Sequence, residues 1–246
     1  DKWVLSKFNE LVRDVTDNLE KFELGLAVQK LYDFIWDIYC DWYIEICKAR
    51  LNSDDTVGKE TAKAVLVYVL SETLKLLHPF MPFITEEIWQ ALPHSGESIM
   101  ISKWPEYSEK LSFSAEEKRF EMLMDVIRAI RTRRSEMNVP PSKKAKVYIA
   151  TQTEDVFKEG TPYIEKLASA SEVTVGAEFD IPGAVTVVTD SAVAYIPMNE
   201  LVDIEAERAR LNKELAAAEG DKAFFEKKLN NPSFVEKAPA QVVEQQ

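Results

Sequence analysis

The chain has 246 residues, 46% of them apolar, with 30 basic against 42 acidic side chains and a net charge of −12, which suits one large or two modest domains and excludes a positively coated surface. Seven glycines are spaced too far apart for a phosphate-cradling G-x-G-x-x-G or G-x-x-x-x-G-K-[ST] loop, and two histidines (His78, His94) with two cysteines (Cys40, Cys47) exclude C-x-x-C metal clusters, H-E-x-x-H and a disulfide-stapled domain. The longest apolar run, residues 64–70, is too short to cross a bilayer and no leader opens the chain, so a soluble cytoplasmic protein is expected.

Helical periodicity dominates up to residue 137. Val4, Phe8, Leu11, Val15, Leu19 and Phe22 recur at helical spacing, and Gly25 lies where that helix can stop. A second helix is predicted over residues 27–50, with Leu31, Ile35, Ile38, Trp42 and Ile46 on one side. Tyr32, Phe34, Trp36, Tyr39, Trp42 and Tyr43 make it aromatic over most of its circumference, as in a bundle interior. A third helix runs over 59–77 until His78-Pro79 breaks it; a short one covers 85–92. Residues 99–101 read as a brief extended piece, and Ser114 caps a long helix over 114–137.

Beyond Pro140-Pro141 the period changes. Strand-like 146–150, helical 154–168, extended 173–175 and a hairpin of 185–187 with 193–196 predict a small β-α-β-β-β unit. After Pro197, apolar residues fill seven of nine positions spaced three and four apart from Leu201 to Leu229, a coiled-coil seam. Asn230-Asn231-Pro232-Ser233 ends it, and a returning helix starts near Ala238-Pro239. The predicted class is therefore mainly α: a helical bundle over 1–142, a small α/β domain over 143–198 and a truncated coiled-coil arm over 199–246.

Candidate sites are few. Asp33, Asp37, Asp41 and Glu45 form an acidic ladder that reads as a solvent face or salt-bridge acceptor, since no nucleophile or metal cluster accompanies it. Cys40 and Cys47 read as packing residues, His78 as a helix-end residue and His94 as a loop residue. The strongest charge signal holds Arg128, Arg131, Arg133, Arg134, Lys143, Lys144 and Lys146 against Glu136 alone. Ile127, Ile130 and Arg134 fall within roughly 60° on the helical wheel, so arginine takes over the apolar face at the last turn. Two readings stay open there: arginine complements the helix's carbonyl end, or the helix tip offers guanidinium groups to phosphates. Screening beyond about 8–10 Å lets such a patch bind an anion despite the acidic total.

Residues 34–45 (Phe34-Ile35-Trp36-Asp37 through Ile44-Glu45) resemble the helix that follows the catalytic core in class I synthetases for branched aliphatic amino acids. Leu77-His78-Pro79-Phe80-Met81-Pro82-Phe83-Ile84-Thr85-Glu86-Glu87-Ile88-Trp89 resembles the next landmark of the same anticodon-binding bundle. Ile127-Arg128-Ala129-Ile130-Arg131 and Glu136-Met137-Asn138-Val139-Pro140-Pro141-Ser142-Lys143-Lys144 are similar to the valyl-tRNA synthetase family. So are Asp203-Ile204-Glu205-Ala206-Glu207-Arg208-Ala209-Arg210-Leu211 and Asn231-Pro232-Ser233-Phe234-Val235-Glu236-Lys237-Ala238-Pro239. The cysteine-ligated zinc module common in isoleucyl enzymes would need more than two cysteines.

The resemblance covers essentially the whole chain and implies the C-terminal third of such an enzyme, an expectation that the opening Asp1 shares. The His-Ile-Gly-His and Lys-Met-Ser-Lys-Ser motifs do not occur, so no catalytic or metal residue is assigned, and ATP and Mg belong to a catalytic core absent here. The implied partner is tRNA(Val), with no DNA and no membrane. Implied contacts to tRNA phosphates or loop are Lys48, Arg50, Arg128, Arg131, Arg134, Lys143 and Lys144, with Arg208, Arg210 and Lys213 on the arm. The exposed seam further implies pairing of the arm with another copy through Leu211, Leu215, Phe225 and Leu229. Two alternatives stay open: the equivalent region of another aliphatic-amino-acid synthetase, and a coiled-coil adaptor whose basic patch is structural.

Overall fold

A computed structural model describes residues 1–201 and 204–229, with some side chains of the last helix left out. The described residues fall into two compact units, one ending at Met124 and one beginning at Asp125.

In the first unit, α1 (Lys2–Glu20) buries Val4, Phe8, Leu11 and Val15, as its spacing predicts. The face ends there. Leu19 is half-buried, and Phe22 is 87% exposed with a left-handed backbone, φ 61°. Glu23 N–H donates to Asn18 O (2.8 Å) and Phe22 N–H to Leu19 O (3.0 Å), the paired bonds of a left-handed helix stop. Phe22 thus holds the position glycine usually takes, while Gly25 lies inside α2 (Leu24–Asp33) and stops nothing.

The predicted single helix over 27–50 is three segments. After α2 the backbone widens into a π-helix, Phe34–Ile44, before returning to α3 (Glu45–Leu51). An i→i+5 helix advances less per residue, which rotates later side chains away from the positions of an α wheel. Tyr39 and Tyr43 therefore enter the core, whereas Ile35 and Ile38 are only half-buried. The tyrosine hydroxyls are satisfied: Tyr39 donates to Leu66 O (3.0 Å) and Tyr43 to Asp1 Oδ1 (2.7 Å). Tyr32 and Trp36 face outward, so the aromatic circumference is not wholly covered.

Asp55 caps α4 (Thr56–Leu77) by accepting from Gly58 N–H (3.0 Å), which starts the helix before residue 59. α5 (Pro82–Gln90) opens on proline, and His78 Nδ1 lies 2.7 Å from Thr85 Oγ1, joining the two helix ends. Residues Ile99–Ile101 form a 3-10 turn rather than an extended piece. The reason is Glu86, whose carboxylate accepts from Ser98 Oγ (2.7 Å) and Ile99 N–H (3.2 Å) and tightens the chain. α6 (Ser114–Glu136) follows, and the division between the units falls within it.

The second unit holds β1 (Ala145–Ala150), α7 (Glu154–Leu167), β2 (Ala170–Gly176), β3 (Ala184–Val188) and β4 (Val193–Pro197). The sheet order is β2-β1-β4-β3; β1 and β2 are parallel across the α7 crossover, and the other pairs are antiparallel. Val147, Ile149, Val187, Ala194 and Ile196 share the buried face, and α7 supplies Val156, Phe157 and Ile164 to the same core. A short α8 (Met198–Leu201) precedes α9 (Ile204–Leu229), which lies where the seam was predicted. No described helix is long and apolar enough to cross a membrane.

Candidate nucleic-acid interface

The final turns of α6 set the geometry of the basic segment. Ile127 and Ile130 are fully buried, and helical phase carries Arg134 to the same side, where it is 6% exposed. The guanidinium turns back on the chain: Nη2 donates to Lys143 O and, at 3.4 Å, to Pro140 O. Burial pulls its pKa below the usual arginine value. Arg134 is thus a cap on backbone carbonyls with little surface to offer a phosphate, which corrects its place among the predicted contacts.

Arg131 is exposed, and its Nε donates to Leu167 O at the end of α7 (2.6 Å). Arg128 is exposed beside Asp125 (3.3 Å), and Arg133 beside Glu136 (3.1 Å). Past the helix, Asn138 takes a left-handed conformation (φ 54°), and Val139 N–H closes on Arg134 O (2.9 Å). That stop turns the chain so that Lys143, half-buried, and Lys144, exposed, lead into β1. Lys146 is drawn to Glu172 (3.3 Å), whose hydrogen bond and charge raise its pKa. The exposed cations of this segment are therefore Arg128, Arg131, Arg133, Lys144 and Lys146, most of them beside a polar or acidic neighbour.

Of the basic segment, Arg131 and Arg134 edge a cleft of about 610 Å³ that also takes in Lys166 and Ser169 from the end of α7 and the turn after it. Nothing in the sequence pointed to those two, because Lys166 reads as an ordinary last-turn lysine and no pattern ties it to Arg131, 35 residues earlier.

The other predicted contacts lie on other elements. Lys48 pairs with Glu45 on the first unit. Arg50 clasps Asp1 Oδ1 (2.6 Å) and Gly58 O (2.9 Å), a local structural tie that the sequence reading missed. Arg208 and Lys213 are exposed on α9, and the Arg210 side chain lies outside the described residues, as do those of Leu211 and Leu229. Asp33, Asp37 and Asp41 face solvent, as a solvated ladder does. Cys47 is buried, and burial, then Asp41, pushes the half-buried Cys40 thiol upward, so neither is poised as a nucleophile. Among the described residues no cluster of three or more His, Cys, Asp or Glu side chains could hold a metal ion.

A family model described as "Anticodon-binding domain of tRNA ligase" matches residues 1–149, and one described as "Valyl tRNA synthetase tRNA binding arm" matches residues 203–246. Similar relatives include the valine–tRNA ligase of Clostridium tetani, 49% identical over 249 residues, and that of Geobacillus stearothermophilus, 45% identical over 250 residues; both alignments take in 100% of this chain. The valine–tRNA ligase of Bacillus cereus is 43% identical over 248 residues, 99% of the chain. The chain spans 28% of the length of these relatives. Neither family match includes residues 150–202, which carry most of the small sheet unit.

Proposed function

Because the chain belongs to the family of tRNA-ligase anticodon-binding domains, we propose that it is the tRNA-holding portion of a valine–tRNA ligase. In this reading the helical bundle holds the anticodon stem-loop of tRNA(Val), and the arm reaches the tRNA elbow. A catalytic core outside these residues uses ATP and magnesium to attach valine. The observation that carries the reading is the succession, on one chain, of an anticodon-binding match and a valyl-type arm match. The physics agrees: splayed loop bases are read by stacking and hydrogen bonds, whereas a stem is held through its phosphates. Arg128, Arg131, Lys143 and Lys144 are the proposed phosphate contacts of the basic segment, joined by Lys48 of the first unit and by Arg208 and Lys213 of α9. The protein acts in the cytoplasm, with no DNA or membrane partner.

Electrophoretic titration with unfractionated tRNA tests this. Binding should weaken steeply with salt, and Arg128→Glu with Lys144→Glu should weaken it at least tenfold at roughly 0.15 M salt, since each lost phosphate contact removes about 0.7–0.9 of the log–log salt slope. Both side chains are exposed, so the change spares the core. A coiled-coil adaptor would show no such binding.

Pairing of the arm with a second copy belongs to the same proposal. It is supported by the seam residue Leu215, 58% exposed on α9, whereas Phe225 of the same seam is half-buried. Sedimentation should show mass rising with concentration, and Leu215→Lys should abolish the rise; a monomer at all concentrations refutes pairing.

A further inference from the structure

The cleft at the ends of α6 and α7 contains no carboxylate among its lining residues, although the chain carries a net charge of −12. By contrast, the cleft beside Lys7 and Lys30 is also edged by Glu10, Asp14, Asp33 and Asp37. Here Arg131, Arg134 and Lys166 converge with Ser135, Asn138 and Ser169, three cations and three neutral hydrogen-bonding side chains around one opening. Two helix C-termini end at this place, and their partial negative charge would repel an anion. Arg131 answers that charge at Leu167 O, the end of α7, and Arg134 covers the carbonyls of Pro140 and Lys143 in the turn past α6. With those carbonyls covered, Lys166, exposed on the last turn of α7, meets a site already compensated.

The backbone is also unusual. Asn138 and Ser169, with φ of 54° and 53°, are two of the three described non-glycine residues in the left-handed region, and both edge this cleft. Each turn folds its helix end back so that the two helix termini share one opening. A serine in that conformation costs about 1 kcal/mol or more.

We propose that this cleft binds a backbone phosphate of the RNA, so that the small sheet unit, which neither family description covers beyond residue 149, takes part in holding tRNA. This rests on the RNA-binding reading above and deepens it. The ligand chemistry is a phosphodiester monoanion held by an ammonium, a guanidinium and hydroxyl donors. RNA rather than a free phosphate is favoured because Arg131 and Arg134 share the last turns of α6 with Arg128 and Arg133, a run of cations longer than one phosphate needs.

The test uses the 246-residue chain, unfractionated tRNA and a salt series, with Lys166→Gln as the variant and Lys166→Arg as its conservative control. Lys166→Gln should raise Kd about four- to fivefold at roughly 0.15 M salt and lower the log–log salt slope by about 0.7–0.9, whereas Lys166→Arg should match the unaltered chain. Unchanged affinity and slope in Lys166→Gln, with the unaltered chain binding normally, overturns the cleft as an RNA site. Inorganic phosphate followed by NMR supplies the second arm: a Lys166-dependent phosphate response with tRNA affinity unchanged would likewise overturn the RNA assignment. Failure of the unaltered chain to bind tRNA at all would remove the functional reading together with this inference.

Discussion

Replacing Glu117 with alanine should destabilise the first unit by about 3–5 kcal/mol, the usual cost of stranding the partners of a buried charge. Glu117 is 8% exposed at the start of α6 and accepts from Ser6 Oγ, while its other oxygen lies 2.7 Å from Lys7 Nζ. Ser6 Oγ in turn accepts from Phe113 N–H (2.8 Å), and Lys7 also reaches Glu121 (2.8 Å). Removing the carboxylate therefore leaves the Ser6 hydroxyl proton without an acceptor in the core and a half-buried ammonium with only its outer acids, Glu121 and Glu10. Glu117→Gln, which keeps an acceptor for Ser6 but not the charge, should cost about half as much. Urea unfolding measures both, and a loss below about 1 kcal/mol for the alanine variant would show that the network contributes little.

The same network predicts the alkaline limit of the unit. Burial by itself would lower the Lys7 pKa, but hydrogen bonds and charge from Glu117 and Glu121 outweigh it and push it up to about 12 from 10.5. A lysine whose folded pKa is raised contributes stability that is complete below the unfolded value and lost as pH climbs from about 10.5 towards 12. Tyr39 and Tyr43 act with the same sign: burial raises both phenols well above the usual value of 10, so the folded state favours their protonated forms. The urea midpoint should hold up to pH near 10 and fall between about 10 and 12, less steeply in Glu117→Gln. A midpoint flat across that window contradicts the assignment.

Arg134→Met should cost the second unit about 2–3 kcal/mol and, by uncovering carbonyls at the edge of the cleft, weaken tRNA binding by the folded protein less than Arg128→Glu with Lys144→Glu does. Methionine retains the apolar stem beside Ile127 and Ile130 but removes the donors to Lys143 O and Pro140 O. Arg134→Lys should recover less than half of the loss, because both bonds leave from Nη2 at the tip of the guanidinium, one bond beyond where a lysine Nζ ends. Thermal unfolding read from the second unit would drop by roughly 10 °C for methionine. A shift within error, or a loss of tRNA affinity matching that of Arg128→Glu with Lys144→Glu, would move Arg134 back to the surface role.

Arg134 also shows how far a helical wheel reaches. The wheel placed it correctly with Ile127 and Ile130, but could not say whether that side ends inside or outside the core. The two readings of this basic segment divide residue by residue: Arg134 is buried on carbonyls, Arg131 covers one carbonyl while remaining exposed, and Arg128 and Lys144 face outward. Phe22 is a similar case. Its spacing extends the buried face of α1, yet the helix stop turns it outward, because the two bonds that close the end need a left-handed residue at that position. Lys166 and Ser169 were illegible for a different reason: they join the cleft only because two turns distant in sequence fold their helix ends together.

What the sequence determined alone was the succession of periods, helical to residue 137, alternating beyond 145 and helical again after 197, together with the motifs that carry the family resemblance. Periodicity and local residue chemistry are properties of neighbouring positions, so they survive without coordinates. The tertiary structure alone decided that the aromatic helix widens into a π segment, that Arg50 ties Asp1 to Gly58, and which arginines spend their donors on carbonyls. Those outcomes depend on desolvation and on backbone groups brought close from elsewhere in the chain, and a buried polar group takes whichever partner the packing presents.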